Sequence, residues 1–162
     1  MMRIFKFFCV AFASLALMAG CSKSDGGGNN DDKKEDGKGS VVGQWHLVSW
    51  SNLTAADVYL SFTEAGAFEI YQRVYSPEYV HYAGTYSYNN GVLAGIYSDS
   101  ESWGSDYNVS FNADGSQMIL TSVKSSSDVS IFEKSTIPDE ILSGDLTSTP
   151  QSRSGEESFR FL

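Results

Sequence analysis

Between Val41 and Lys134 the chain alternates apolar and polar residues in short runs, each closed by turn-forming residues. That period of two, repeated eight times with short connections, limits the fold more than any other feature. VVGQWHLVSW at 41–50 opens the series. VYLSF at 58–62 sets Val58, Leu60 and Phe62 against Tyr59 and Ser61, and AFEIYQRVY at 67–75 gives Phe68, Ile70 and Val74 one parity. YVHYAGTYSY at 79–88, VLAGIYS at 92–98, YNVSF at 107–111, SQMILTSV at 116–123 and VSIFEK at 129–134 complete it. Gly66 and Pro77 mark turns. Asn89-Asn90-Gly91 is a strong hairpin signal, because both central residues tolerate positive φ, and Asn112-Ala113-Asp114-Gly115 is another. The one helical signal is IPDEIL at 137–142, with Pro138 at its start.

Eight strands in hairpin succession leave exposed edges unless the sheet closes. Eight is also the number at which a closed barrel is filled by its own side chains or holds one small ligand. The expected fold is therefore all-β: an eight-stranded antiparallel up-and-down barrel over 41–136, followed by a C-terminal extension, 137–162. A sandwich would need crossing connections that such short links do not provide.

Ahead of the barrel, Arg3 and Lys6 precede an apolar run, Phe7 to Met18, broken only by Ser14. That run has the length of a secretory signal core and is too short to span a bilayer as a helix. Ala19-Gly20-Cys21 after Leu17-Met18 resembles a bacterial lipobox, with Met18 where leucine is usual. The resemblance implies removal of 1–20 and acylation of Cys21, hence a lipid anchor in a membrane. Cys9 leaves with the signal, so the mature chain keeps one cysteine and forms no internal disulfide. Residues 22–40, SKSDGGGNNDDKKEDGKGS, lack any apolar side chain able to build a core. With Cys21 they read as a solvated tether, 21–40, with a reach of roughly 20–25 Å. The cluster Asp31, Asp32, Glu35 and Asp36 is similar to the acidic export signals of surface lipoproteins in Bacteroidetes, although it lies further from the cysteine. The expected location is the outer membrane of a Gram-negative bacterium. Display on the cell surface and a spacer on the periplasmic face both remain open.

With 20 acidic against 11 basic residues, net −9, nucleic acid and anionic lipid surfaces are poor partners. The only histidines are His46 and His81, and no metal-ligand spacing, Gly-x-Ser-x-Gly elbow or phosphate loop is present. Asp99, Glu101 and Asp106 share a polar loop. They supply oxygens for Ca²⁺ but lack the spacing that would make a site specific; a solvated acidic loop is the simpler reading. No catalytic set and no cofactor are expected.

Gly43-Gln44-Trp45 at the start of the first strand matches the Gly-x-Trp signature of lipocalins. Ser61-Phe62 with Glu64-Ala65-Gly66-Ala67-Phe68, then Gly84-Thr85-Tyr86, Asn112–Gly115 with Met118–Ser122, and Ile131–Lys134 continue the similarity over most of 42–135. The chain resembles the small lipocalin-like lipoproteins of the Bacteroides type. The resemblance implies an eight-stranded barrel. It departs from larger lipocalins in lacking a long helix and in its shorter strands.

From parity alone, Trp45 and Gly43 share a face, with Trp45 plugging the narrow end and Gly43 allowing a backbone to come close. If Trp45 faces inward, so do Phe62, Phe68, Ile70, Tyr82, Gly84, Tyr86, Tyr107, Val109, Phe111, Met118 and Leu120. Inward tyrosines need hydrogen-bond partners. Phe68, Ile70, Tyr82, Tyr86, Tyr107 and Phe111 are therefore the expected lining for a small apolar or amphipathic ligand, unless the barrel is filled. On the other face Glu69, Tyr71, Arg73 and Tyr75 share a parity, with Tyr79 and His81 across from them and Trp50 and Trp103 added from strand and loop ends. Tyr71, Arg73 and Trp103 are the expected contacts for a partner protein or glycan. Phe159, Phe161 and Leu162 either dock on the barrel, as an added edge strand, or stay exposed.

Overall fold

A computed structural model describes residues 39–51, 55–75, 77–145, 147–148 and 159–162. The expected signal, Cys21 and most of the expected tether lie outside the described residues.

The alternating runs become strands β1 (Gly43–Trp50), β2 (Asp57–Phe62), β3 (Ala67–Arg73), β4 (Tyr79–Asn89), β5 (Val92–Tyr97), β6 (Tyr107–Phe111), β7 (Gln117–Ser122) and β8 (Val129–Lys134). Each pairs antiparallel with the next, and β1 pairs with β8. The expected closed up-and-down barrel forms. The hairpin signals act as their chemistry dictates. Asn90 and Gly91 take φ of 51° and 79° between β4 and β5, as a primed turn requires. The β6–β7 turn is locked by side chains: Asn112 Oδ1 accepts from Gln117 N, and Asp114 Oδ1 accepts from both Ser116 N and Ser116 Oγ.

Burial follows the parity. Trp45, Leu60, Ile70, Met118, Leu120 and Phe132 are fully enclosed. One end of the barrel is closed by Trp45, whose Nε1–H donates to Val41 O at 2.8 Å, with Phe111 at 6.1 Å. Gly39 already lies against the Phe111 ring, where any Cβ would overlap it. Packing therefore begins before the expected boundary at residue 41. Gly43 corrects a second expectation. It has φ of +134°, and a Cβ there would meet only Trp45 Nε1, at 4.0 Å. Its backbone conformation, not a close approach, calls for glycine.

The other end departs further from simple alternation. Between Leu47 and Ser49 the β1–β8 register slips, and Val48 becomes the extra, exposed residue. A bulge of one residue reverses parity beyond it. Trp50, expected on the outer face, therefore packs against the core, and its Nε1–H donates to Asp128 Oδ1 at 2.9 Å. Trp103 is the larger correction, since it is only 4% exposed. After β5 the chain doubles back along that strand. Tyr97 N donates to Glu101 O, Ile96 bridges Ser102, and Trp103 N donates to Gly95 O at 3.0 Å. This segment takes the edge that β6 would otherwise hold, so β5 and β6 pair only at Val92–Asn108 and Leu93–Tyr107. The indole turns inward onto Phe68 (5.0 Å) and Phe62 (6.4 Å), in space that a Cβ on Gly95 would occupy.

Two further pieces flank the barrel. Helix α1 (Asp139–Leu142), preceded by Pro138, lies with Ile137 and Ile141 against Tyr59, Tyr71 and Tyr79 on the outer wall. A ninth strand, β9 (Thr147–Ser148), pairs parallel with Tyr79 and Val80. The added strand is thus 147–148. Phe161 and Leu162 dock by insertion into the barrel mouth, where both join the core.

Overpacking at the Gly95 site is expected to cost about 1–3 kcal/mol. Gly95→Ala should lower the urea midpoint accordingly. Combining it with Trp103→Leu should cost less than the sum of the two single changes, because the smaller side chain makes room for the new methyl. Strict additivity would show that the indole is not seated on Gly95.

Candidate functional site

Six residues were expected to line an interior ligand site, and the barrel brings them to its inside. Phe68, Ile70, Tyr82 and Tyr107 are buried, and Tyr86 and Phe111 pack against the same cluster from the rims. Close packing is seen at several of them. A Cβ on Gly84 would fall 2.7 Å from Phe68 Cε1, and Tyr82 packs edge-on to Tyr97 at 5.7 Å. The Tyr86 hydroxyl donates to Thr63 O at 2.7 Å, at the rim. Burial raises the Tyr107 phenol above its ordinary range, with the charge of Asp128 adding to the effect. Tyr97, absent from the expected set, is raised by burial too, and its hydroxyl donates to Leu162 O at 2.8 Å. One interior donor is unmatched among the described residues: Trp103 Nε1–H.

The outer wall gathers more chemistry than the sequence pattern suggests. Register places His46 opposite Tyr59, Tyr59 opposite Tyr71, and Tyr71 opposite His81, a single row across β1, β2, β3 and β4. His46 and Tyr59 stack at 4.3 Å, and Tyr71 and His81 stack at 4.4 Å. Tyr71 was expected to be an exposed partner contact. It is only 7% exposed, because Ile137 and Ile141 lie over it. Burial, then the charge of Glu69 and the hydrogen bond to it, push the Tyr71 phenol up to about 12.

Beside this row Asp57 is the hub. Its Oδ1 lies 2.9 Å from His46 Nε2, and its Oδ2 accepts from Arg73 Nη2 at 2.8 Å and from the Tyr79 hydroxyl at 2.6 Å. Arg73 also lies 4.9 Å over the Tyr79 ring. Burial alone would raise the Asp57 carboxyl. The hydrogen bonds from Tyr79 and His46 and the charges of His46 and Arg73 outweigh it and hold the pKa below 3.8. Burial, with the same bond to Asp57 adding to it, raises the Tyr79 phenol. His46, Ala55, Ala56, Asp57 and Arg73 line an open depression of about 440 Å³. Arg73, expected at a partner surface, stands at its edge with a half-exposed side chain.

At the same end of the barrel Tyr75 is 76% exposed and has a left-handed backbone, φ of 57°. Such a conformation costs an aromatic residue about 1–2 kcal/mol. Its ring meets Phe159 edge-on at 5.7 Å.

Asp99, one of the loop carboxylates, faces Arg160. Nη1 donates to Oδ1 at 3.1 Å, and Nη2 pairs with Oδ2. Those bonds hold the Asp99 carboxyl below its usual value.

No known family model matches the chain, and no curated protein is detectably similar to it.

Because the Asp57 pKa is lower in the folded chain than the 3.8 of a free carboxyl, its stabilising contribution is complete above the free value. It is lost as pH falls through the folded value. The urea midpoint of the natural chain should exceed that of Asp57→Asn at pH 7, and the gap should narrow as pH falls below 3.8. A gap that is constant from pH 7 to pH 3 would show that the carboxylate charge does not matter to the network.

Proposed function

We propose that this chain is a membrane-anchored interaction module: a filled lipocalin-like barrel, held by an acylated Cys21 and a flexible tether, that presents its outer rim to a partner protein in the cell envelope. The observation that carries the reading is Tyr75. A bulky side chain in a costly backbone conformation, turned to solvent two residues along the chain from Arg73 at the edge of an open depression, fits a contact residue better than a packing residue. The occupied interior agrees with it. Trp103 fills the space over Gly95, and Phe161 and Leu162 fill the mouth. Tyrosine and arginine are also the residue types that dominate binding energy at protein interfaces.

A carrier for a small amphipathic molecule is the second reading. The unmatched Trp103 Nε1–H favours it, since a buried donor without an acceptor costs about 1–3 kcal/mol that a bound polar atom would recover.

Photo-crosslinking in cells separates the two. A crosslinking residue in place of Tyr75 should give a discrete protein adduct, which Arg73→Ala weakens at least several-fold. The same residue in place of Val123, exposed elsewhere, should give none. No adduct at 75 overturns the module, and a small molecule released on denaturing the purified chain supports the carrier. Cys21→Ser should move the chain from the membrane to the soluble fraction. Continued membrane retention would remove the lipid anchor from the proposal.

A further inference from the structure

After a polar run the chain reads Phe159-Arg160-Phe161-Leu162: apolar, basic, apolar, apolar. These four residues sit in the mouth as an extended peptide sits in a receptor. Gln72 is an inward-facing amide in β3, 2% exposed. A buried carboxamide in an apolar wall is costly unless both its ends are bonded. Its Nε2 donates to Phe159 O at 2.8 Å, and its Oε1 accepts from Phe161 N at 2.9 Å. A neighbouring strand would make this same pair of bonds, so Gln72 reads backbone regardless of side chain. Tyr97 adds a third main-chain contact at Leu162 O.

The side chains are read separately. Phe161 packs between Trp50 at 4.8 Å and Phe132 at 6.1 Å, and Leu162 is 2% exposed. The Arg160 guanidinium points the other way. It lies 4.4 Å over the Tyr97 ring and 5.2 Å over the Tyr82 ring, and it pairs through both terminal nitrogens with Asp99. A planar, forked cation suits that seat between two rings and a carboxylate, and a lysine would fit it poorly.

We propose that the barrel mouth is a binding site for an extended apolar–Arg–apolar–apolar peptide, filled in this structure by the chain's own Phe159–Leu162. The backbone clamp, the apolar pockets and the arginine seat all belong to the barrel, and the occupant arrives from a separate stretch of chain. A polypeptide carrying an equivalent segment enters by displacing the internal one. The mouth uses Gln72, Tyr97 and Asp99, and the proposed rim contact uses Arg73 and Tyr75; the two meet where Tyr75 touches Phe159.

The test uses the full chain with a protease recognition sequence introduced between 151 and 157, cut after purification. Native mass spectrometry should find the released fragment still bound. Isotope-labelled SFRFL should replace it, while SFAFL should bind about tenfold more weakly, from the loss of the two cation–π contacts. In the barrel, Asp99→Ala should weaken SFRFL and leave SFAFL unchanged, a coupling that general stickiness would not produce. Unfolding of the cut chain as the fragment leaves would overturn the proposal, because the segment would then be part of the fold. A folded, emptied barrel that ignores SFRFL, or that takes a scrambled peptide of the same composition equally well, would also overturn it.

Discussion

Everything inside this barrel is arranged around the seating of Trp103 over Gly95. An eight-stranded barrel needs its centre filled, and its wall is thinnest where β5 and β6 share two residue pairs. The segment that doubles back along β5 repairs that wall with its own backbone bonds and fills the centre with its indole. The glycine makes room, and the indole in turn holds Phe62, Phe68 and Tyr107 in edge-on contact. Filling the middle this way leaves two places for recognition chemistry: the outer wall, where His46, Asp57, Arg73 and Tyr79 converge, and the mouth, where Gln72 and Tyr97 reach a peptide backbone.

The strands and hairpins were legible because their signals are local. Alternation sets which side chains face inward, and Asn90-Gly91 or Asp114-Gly115 carries its turn within a few residues. What could not be read depends on long-range fit. The bulge at Val48 reverses Trp50, and its one trace in the run HLVSW is the adjacent apolar pair Leu47-Val48, which breaks the alternation without showing which residue is extra. Trp103 looked like a loop aromatic, and only the pairing of 101–103 with β5 shows that it lies over Gly95. A glycine in mid-strand eight residues before a tryptophan was the available clue. Tyr71 keeps the outward parity expected of it and is buried all the same, because Ile137 and Ile141 come from beyond the barrel to cover it.

The candidate sites were legible in half. Glu69, Tyr71, Arg73 and Tyr75, with Tyr79 and His81, were placed on one face from β3 and β4 alone, since a single hairpin relates them. His46 and Asp57 come from β1 and β2, and nothing in the sequence fixes their register against β3. Asp57 lies just ahead of the alternating run at 58–62, where alternation gives it no face. It is the carboxylate to which a histidine, an arginine and a tyrosine all turn.

Strand β3 ties the two places together through neighbouring residues that face opposite ways. Gln72 points inward and bonds Phe159 and Phe161, while Arg73 points outward and bonds Asp57. Two residues on, Tyr75 rests its ring on Phe159. A rim built on Tyr75 and a mouth filled by Phe159–Leu162 therefore share a wall. Removing the segment takes away the ring that Tyr75 packs against and strands the amide next to Arg73. If an occupant of the proposed mouth site shifts affinity at the proposed rim, linkage requires a rim partner to shift affinity in the mouth by the same factor. At the end of β3, Gln72 is bonded on one face and Arg73 on the other. A mouth occupant and a rim partner, as proposed, would therefore meet the same short stretch of wall.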